Sequence, residues 1–439
     1  MTKFLTAMFI GILCLSIFAV LTASANAQLS TTDWPMFHHD LAHTGTTSAG
    51  PTTNLTAWTY KTVGGIWTSP AIADGVVYAG TLQGHKMYAW NASTGTLLWN
   101  YTVGDMIYSS PAVAEDIVYF GCNNYQVYAL NATDGNLVWN FTTSGEVQGC
   151  PSVANGVVYI GSGDSKMYAL NATDGSFIWS YTTGNNVISS PAIVDGVVYF
   201  GSYNHCVYAL NASTSDQIWN FTTGSSVESS PVVVNGVLYI GSYDNKTYAL
   251  NAATGAELWN VTTGYDLCVE ASPAVANGIV YTGGSFDNNI YAYNATNGNL
   301  IWNYTTGGDI YTAPAVAGNV VYVNSLDNKT YALNAQTGML LWTYQTNGSL
   351  YSSPAVSNGL LYVTSYDKNI YAIGQAASPS PSPSQSVSPS TTQTPTASLT
   401  PTSTPTTTSS NNIYYITAAA VIIIIIVVAV ALAVSKRRK

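Results

Sequence analysis

Arginine is absent from the first 436 of 439 residues, and charge of either sign is scarce throughout. Charged residues make up 7% of the chain, against about 25% in an ordinary soluble domain. The formal balance is −10, and the two arginines, Arg437 and Arg438, sit in a terminal basic tetrad with Lys436 and Lys439. Setting aside residues 1–27 and 413–439 leaves six Lys, no Arg and all 21 acids, a balance near −15. Nucleic acid is thereby excluded as a partner, because neutralising phosphates takes clustered Lys and Arg. Phosphate-rich ligands and anionic lipid headgroups are disfavoured on the same ground. What the chain has instead is apolar mass, 47% hydrophobic and 12% aromatic residues, enough for a large core.

The two ends read as addresses. Lys3, an apolar run from Phe4 to Leu21 and the small-residue stretch Ala23-Ser24-Ala25-Asn26-Ala27 predict a signal peptide over 1–27, with a retained anchor as the alternative. Ile413 to Val434 gives 22 residues without a charge, about 33 Å of helix and enough to cross the hydrocarbon core. Tyr414 and Tyr415 mark its outer edge, and the basic tail 435–439 is a positive-inside signal. Residues 377–411 are nearly all Ser, Thr, Pro and Ala, which cannot bury enough surface to fold and predicts an extended stalk. The expected topology is single-pass, with the bulk of the chain extracellular and the C-terminus cytoplasmic. The combination of anchor, stalk and sequons is archaeal in style rather than bacterial.

Between the ends, one unit recurs eight times. W-x-Y-x-T-x-G is followed by S-S-P-A-V, G-V-V-Y-x-G-S and Y-A-L-N-A-x-T-G. The prolines fall at Pro70, Pro111, Pro151, Pro191, Pro231, Pro273, Pro314 and Pro354. A tryptophan series from Trp58 to Trp342 and a Tyr-Ala series from Tyr88 to Tyr371 keep step with them. Each block is a short β-branched and aromatic run bounded by turn residues. Asp74-Gly75, Asn155-Gly156, Asp195-Gly196 and Asn235-Gly236 predict tight hairpins, and Thr94-Gly95 and Asp134-Gly135 predict the same further along the unit. Four strands per repeat of about 40 residues predict an all-β, eight-bladed β-propeller over 55–376, preceded by a lead-in segment, 28–54. The chain starts on a Trp block (Leu55 to Tyr60) and leaves on a Tyr-Ala block (Asn369 to Ile373). The first strand is therefore expected to complete the last blade and close the ring.

These residues resemble the PQQ-repeat propellers, the quinoprotein alcohol-dehydrogenase-like family. The family's Y-A-L-x-x-x-T-G-x-x-x-W core stands here as Tyr128-Ala129-Leu130-Asn131-Ala132-Thr133-Asp134-Gly135-Asn136-Leu137-Val138-Trp139. The likeness spans about residues 33–375 and includes Asp33-Trp34-Pro35-Met36-Phe37. It implies tryptophans docked between neighbouring blades, and dehydrogenases, assembly scaffolds or surface proteins as candidate activities. The catalytic members hold PQQ with an Arg, stack it on a Trp, ligate calcium through Glu, Asn and Asp, and many have a disulfide between adjacent cysteines. The extracellular part of this chain has neither an Arg nor a Cys-Cys pair, so no enzyme activity and no cofactor is expected. A PQQ- and calcium-dependent dehydrogenase is the first alternative, and an envelope assembly scaffold the second.

Few other residues suggest chemistry. His38-His39-Asp40 with His43 has metal-ligand spacing, but reads better as the lead-in segment packed against the ring. Asp164, Asp244, Asp287, Asp327 and Asp367 share one repeat position and read as turn formers rather than calcium ligands. Cys122, Cys150, Cys206 and Cys268 allow three disulfide connectivities. Cys122–Cys150, on adjacent blades, is the geometric favourite. Fourteen N-x-S/T sequons, among them Asn100, Asn140 and Asn220, suit a glycoprotein.

Three residues before each strand-opening proline the repeat is broken. The series is Trp67, Tyr108, Gln148, Ile188, Glu228, Glu270, Tyr311 and Tyr351. Around a closed ring, Tyr311, Tyr351, Trp67 and Tyr108 form an aromatic half and Gln148, Ile188, Glu228 and Glu270 a polar half. The series reads either as a plug of the channel mouth or as a binding cup suited to a sugar ring or an apolar or cationic group. A cell-surface protein or a glycan is the expected partner, with the membrane engaged through Ile413–Val434.

Overall fold

The computed structural model describes residues 33–263 and 269–375. The signal peptide, the stalk, the predicted helix 413–434, the basic tail and Cys268 lie outside them. Among the described residues no helix is long and apolar enough to cross a membrane.

The described chain forms eight antiparallel sheets, one per repeat. Blade one runs from the inner strand Ala71–Ala73 through Val76–Gly80 and Lys86–Asn91 to the outer strand Leu97–Thr102. Blades two to seven repeat the order at 112–142, 152–182, 192–222, 232–262, 274–305 and 315–345. The middle strands are buried on both faces, so they read as unbroken apolar runs such as Val118 to Cys122. Outer strands bury one face, and their tryptophans point inward. In seven of the eight inner hairpins both turn residues have positive φ (Asp74 49°, Gly75 75°; Asn155 52°, Gly156 73°), the type I′ geometry that matches strand twist. The second set of turns differs from expectation. They are wider, closed by Asn91 N–H to the Thr96 carbonyl at 2.9 Å. Asn91 Oδ1 caps the N–H groups of Ser93 and Thr94.

Blade eight is composite, as its repeat register predicts. Ala355–Ser357, Leu360–Thr364 and Asn369–Ile373 are completed by Thr56–Lys61, with Trp58 opposite Ala372.

Neighbouring blades are joined by two repeated contacts. Six of the eight outer-strand tryptophans lie on the turn glycine of the next blade, and Ser215 (φ +62°) holds that turn position in blade four. A Cβ on Gly135 (φ +73°) would come within 2.6 Å of the Trp99 ring. The Trp99 Nε1–H donates to the Ala132 carbonyl at 2.8 Å, and the Tyr78 hydroxyl reaches the same oxygen at 3.4 Å. The alanine carbonyls of residues 92, 172, 212, 252, 295 and 335 each receive the same Trp and Tyr pair. One buried Trp removes roughly 200 Å² from water, worth about 5 kcal/mol as an upper bound.

Nearer the axis, the residue before each opening proline donates its backbone N–H to the equivalent side chain of the next blade. The chain of contacts runs Ser69 to Ser110, Ser110 to Cys150, Cys150 to Ser190, Ser190 to Ser230 and Ser230 to Ser272. It resumes at Ala313 to Ser353 and Ser353 to Ser69. The gap falls where Ala313 offers no acceptor to blade six.

This ring corrects the expected disulfide. Cys122 and Cys150 are free thiols. Cys150 occupies the serine position and accepts from Ser110 N–H at 3.2 Å, while Cys122 Sγ donates to the Asp105 carbonyl at 3.4 Å. The two side chains lie on one face of the ring, as expected, but each already has its own partner. Burial pushes both thiols up, which keeps them unreactive.

The lead-in segment crosses the innermost strands. Its carbonyls at Trp34, Pro35, Leu41, Ala42, Thr44 and Gly45 accept from Ile72, Val113, Ile193, Val233, Val275 and Val316 in blades one, two, four, five, six and seven. Thr46–Thr47 then pairs in parallel with Ala315–Ala317. These bonds satisfy inner-edge N–H groups that would otherwise face the axis unpaired. His43, buried, places Nδ1 3.2 Å from the Pro231 carbonyl and Nε2 3.3 Å from Ser152 Oγ. His38 Nδ1 lies 3.0 Å from the His43 carbonyl. A carbonyl only accepts, so both Nδ1 atoms carry the proton. Burial lowers the His38 pKa to about 3, helped by the charge His43 would carry, and the His43 pKa to about 4. Burial opposes ionisation of Asp40, but hydrogen bonds from His39 and Thr44 outweigh it and lower its pKa. The histidine cluster thus ties the segment to the ring. Among the described residues no three His, Cys, Asp or Glu side chains come together as a metal site.

Three outcomes are expected. Ala313→Ser supplies the missing acceptor and should stabilise the chain by about 1 kcal/mol in urea unfolding. His38 and His43 bind protons in the unfolded state below about pH 6.5 but not in the folded state until about pH 4 and below. Stability should therefore be full above pH 6.5 and fall on acidification by up to about 1.4 kcal/mol per pH unit for each imidazole. Urea midpoints at pH 7, 6 and 5 check this, with a shallower slope for His43→Asn. Finally, Cys122 and Cys150 should both alkylate in the denatured, unreduced protein.

Candidate functional site

The end of the channel opposite the inner hairpins is built from two loops per blade. The first loop, between an outer strand and the next inner strand, carries the series that breaks the repeat. All eight of these side chains are half-buried. Trp67 and Tyr351 stack at 4.3 Å with an interplanar angle of 24°, and Tyr108 meets Trp67 edge-on at 5.4 Å. The Trp67 indole N–H is buried and has no hydrogen-bond partner among the described residues. Tyr311 stands apart from this stack, its ring contact being with Phe286 at 5.7 Å and its hydroxyl 3.3 Å from Asp309. The expected aromatic half-ring is therefore a cluster of three plus one outlier.

The second loop, between the second and third strands, adds residues that the sequence reading missed. Tyr366 packs against both Trp67 and Tyr351 at 6.3 Å. On the opposite side, the Tyr203 and Tyr243 hydroxyls both donate to Glu228 Oε2, and Tyr243 lies 3.0 Å from Glu270 Oε1. Burial first, then the Glu228 charge, raises the pKa of both phenols, which stay protonated as donors. Gln148 turns aside to Glu146, with Nε2 2.8 Å from Oε2. The overlooked tyrosines share one repeat position, immediately before the loop Asp or Asn, where a series of unlike residues was there to be read: Asn123, Gly163, Tyr203, Tyr243, Phe286, Leu326 and Tyr366.

The recurrent loop acids serve the turns. Asp164, Asp244, Asp327 and Asp367 each accept from the Tyr of their own Tyr-Ala block and from a backbone N–H of the preceding loop. Asp287 accepts from Tyr291 in the same way. In blades two and four, Asn124 and Asn204 replace the acid and donate to Tyr128 and Tyr208.

The mouth thus pairs an aromatic face with two carboxylates held by phenols. It does not fit PQQ, whose three carboxylates call for cationic partners. Where such partners would stand, Glu228 and Glu270 add negative charge. Lys86 donates to Asn100 Oδ1 at 2.7 Å, and Lys329 lies 3.8 Å from Asp327, so both are engaged by neighbours of their own. A face that stacks flat rings or cations and accepts hydroxyl hydrogen bonds is the chemistry these residues offer.

Comparison with known proteins supports the fold. The chain is similar to BamB from Moraxella catarrhalis at 20% identity, covering 73% of this chain and 97% of that one with a TM-score of 0.63. A europium-containing methanol dehydrogenase matches at 14% identity, over 76% and 90% of the two chains, with a TM-score of 0.67. A quinohemoprotein alcohol dehydrogenase from Pseudomonas putida matches at 16% identity, over 81% and 82%, with a TM-score of 0.68. At such identities the likeness shows a shared fold alone. No curated protein matches the sequence. The repeat family described as outer membrane protein assembly factor BamB matches residues 44–191, 126–209, 184–313 and 287–378, which together span most of the chain. The expected resemblance holds, and the chain belongs to this PQQ-repeat β-propeller family.

Proposed function

We propose that the protein is a non-enzymatic recognition module displayed at the cell surface, and that it takes its ligand at the aromatic and acidic channel mouth. The observation that carries this reading is the pairing of the Trp67–Tyr351 stack, flanked by Tyr108 and Tyr366, with Glu228 and Glu270 opposite. A sugar ring lays its C–H face on such a stack and donates its hydroxyls to such carboxylates. A glycan is thus the ligand class the mouth suits best. The stalk 377–411 would hold the ring off the membrane, and 413–434 would anchor it. Sequons on exposed outer-strand positions such as Asn100 and Asn140 would carry glycan of their own.

A second reading, an envelope assembly scaffold, is favoured by the family match. Under it, membrane proteins would co-purify with the chain and would be lost on mutating the loops rather than on adding free sugar.

Glycan-array binding followed by titration tests the first reading. Trp67→Ala and Tyr351→Ala should each weaken binding at least tenfold while leaving the thermal midpoint within a few degrees of the unaltered protein. Loss of folding in both variants would instead make the cluster a plug.

A further inference from the structure

A second cavity lies at the other end of the channel. The lead-in segment bonds the middle N–H of six inner strands, but among the described residues none of its carbonyls accepts from Val153 in blade three or Val356 in blade eight. Over blade three the segment leaves the sheet edge. Between the Pro35 carbonyl on blade two and the Leu41 carbonyl on blade four it turns through Met36 to Asp40, with the His39 N–H donating to the Met36 carbonyl and the Asp40 N–H to the His38 carbonyl. The space beneath is a pocket of about 620 Å³, within the range of small-molecule sites.

The pocket's chemistry is two-sided. Its walls are apolar, with Pro35, Met36, Leu41, Val113, Val153 and Ile193 among them. Its polar members are Asp33, Asp40, Asp195 and His39, and no Lys or Arg lines it. Asp33 belongs to the wall, buried close to the Asp74 N–H. Asp40 is fixed by the Ala42 and Thr44 N–H groups at 3.1 and 3.0 Å, with His39 Nδ1 3.3 Å away. Asp195 lines the pocket from the inner hairpin turn of blade four, where it stands exposed. The fit is thus for a body that is hydrocarbon and a head that is positive.

We propose that this pocket binds a small apolar organic cation, its hydrocarbon body against Val113, Val153 and Ile193 and its charge facing Asp40 and Asp195. The site is independent of the channel mouth and of whatever ligand the mouth takes. No Lys or Arg lines the pocket to compete for these carboxylates; the one basic side chain there is His39, 3.3 Å from Asp40.

Calorimetric titration of the full-length chain with 4-phenylbutylammonium, 4-phenylbutanol and 4-phenylbutanoate separates body from charge. The ammonium should bind at least tenfold more tightly than the carboxylate, and the alcohol should fall between. Asp195→Asn keeps the turn, since Asn adopts the same positive φ at Asn155 and Asn235. It should weaken the ammonium several-fold and leave the alcohol unchanged. Val153→Trp fills the cavity and should abolish binding of all three. Should that variant fail to fold, Val194→Phe at the rim serves the same purpose. Equal affinity for the three probes, no binding at all, or binding that survives the filled cavity would overturn the proposal.

Discussion

One backbone carbonyl per blade holds this ring together. The alanine that follows each Tyr-Ala-x-Asn strand presents its oxygen to the blade before it, where a Trp indole and a Tyr phenol converge on it. At six interfaces a glycine in the next turn lets the indole lie flat on the backbone, and in blade four Ser215 takes the same positive φ. Indole and phenol would each cost about 1–3 kcal/mol if buried unpaired, so the contact is strongly specified as well as favourable. It joins apolar burial to hydrogen-bond satisfaction in one place. That combination lets a surface nearly devoid of ion pairs keep eight sheets in register.

The contact also explains how the ring closes. Trp58, at the start of the propeller sequence, and Tyr362, near its end, both donate to the Ala92 carbonyl of blade one. The propeller's first strand, Thr56–Lys61, therefore occupies a repeat position in blade eight. Where blade eight lacks its own alanine turn, Tyr322 donates instead to the Pro51 carbonyl at 2.8 Å. The lead-in segment before Pro51 continues the same work, capping inner edges instead of outer ones. Its buried neutral histidines make that capping sensitive to acid, since protonation would place charge among groups that offer it no counter-ion beyond Asp40.

With the hairpin end crossed by this segment, the opposite mouth is where the repeat varies most. The blades there share one strand framework but vary in the side chain at two positions. A regular scaffold carrying irregular residues at one rim is how a propeller gathers unlike groups in a small space. Trp67, Tyr351 and Tyr366 meet on one side, and Glu228 and Glu270 share Tyr243 on the other.

Much of this was legible in the sequence because the information is local and periodic. Landmarks about 40 residues apart fixed the blade number, the strand order, the type I′ hairpins and the composite blade. Strand alternation and turn chemistry need no distant partner. The places where reading stopped short are contacts that the period does not encode. Cys150 reads like one half of a disulfide, yet it is a substitute serine in a ring of hydroxyls. Tyr311 belongs to the aromatic series by position, but its ring turned to Phe286. His43 finds Pro231 at a separation of 188 residues, and no repeat announces that a lead-in segment will run across six inner strands. The sequence by itself determined the blade, because each blade is built from neighbours along the chain. Only the tertiary structure decided what stands at the two ends of the channel, because closing the ring brings residues from every blade to one axis, where packing and unpaired polar groups choose the partners.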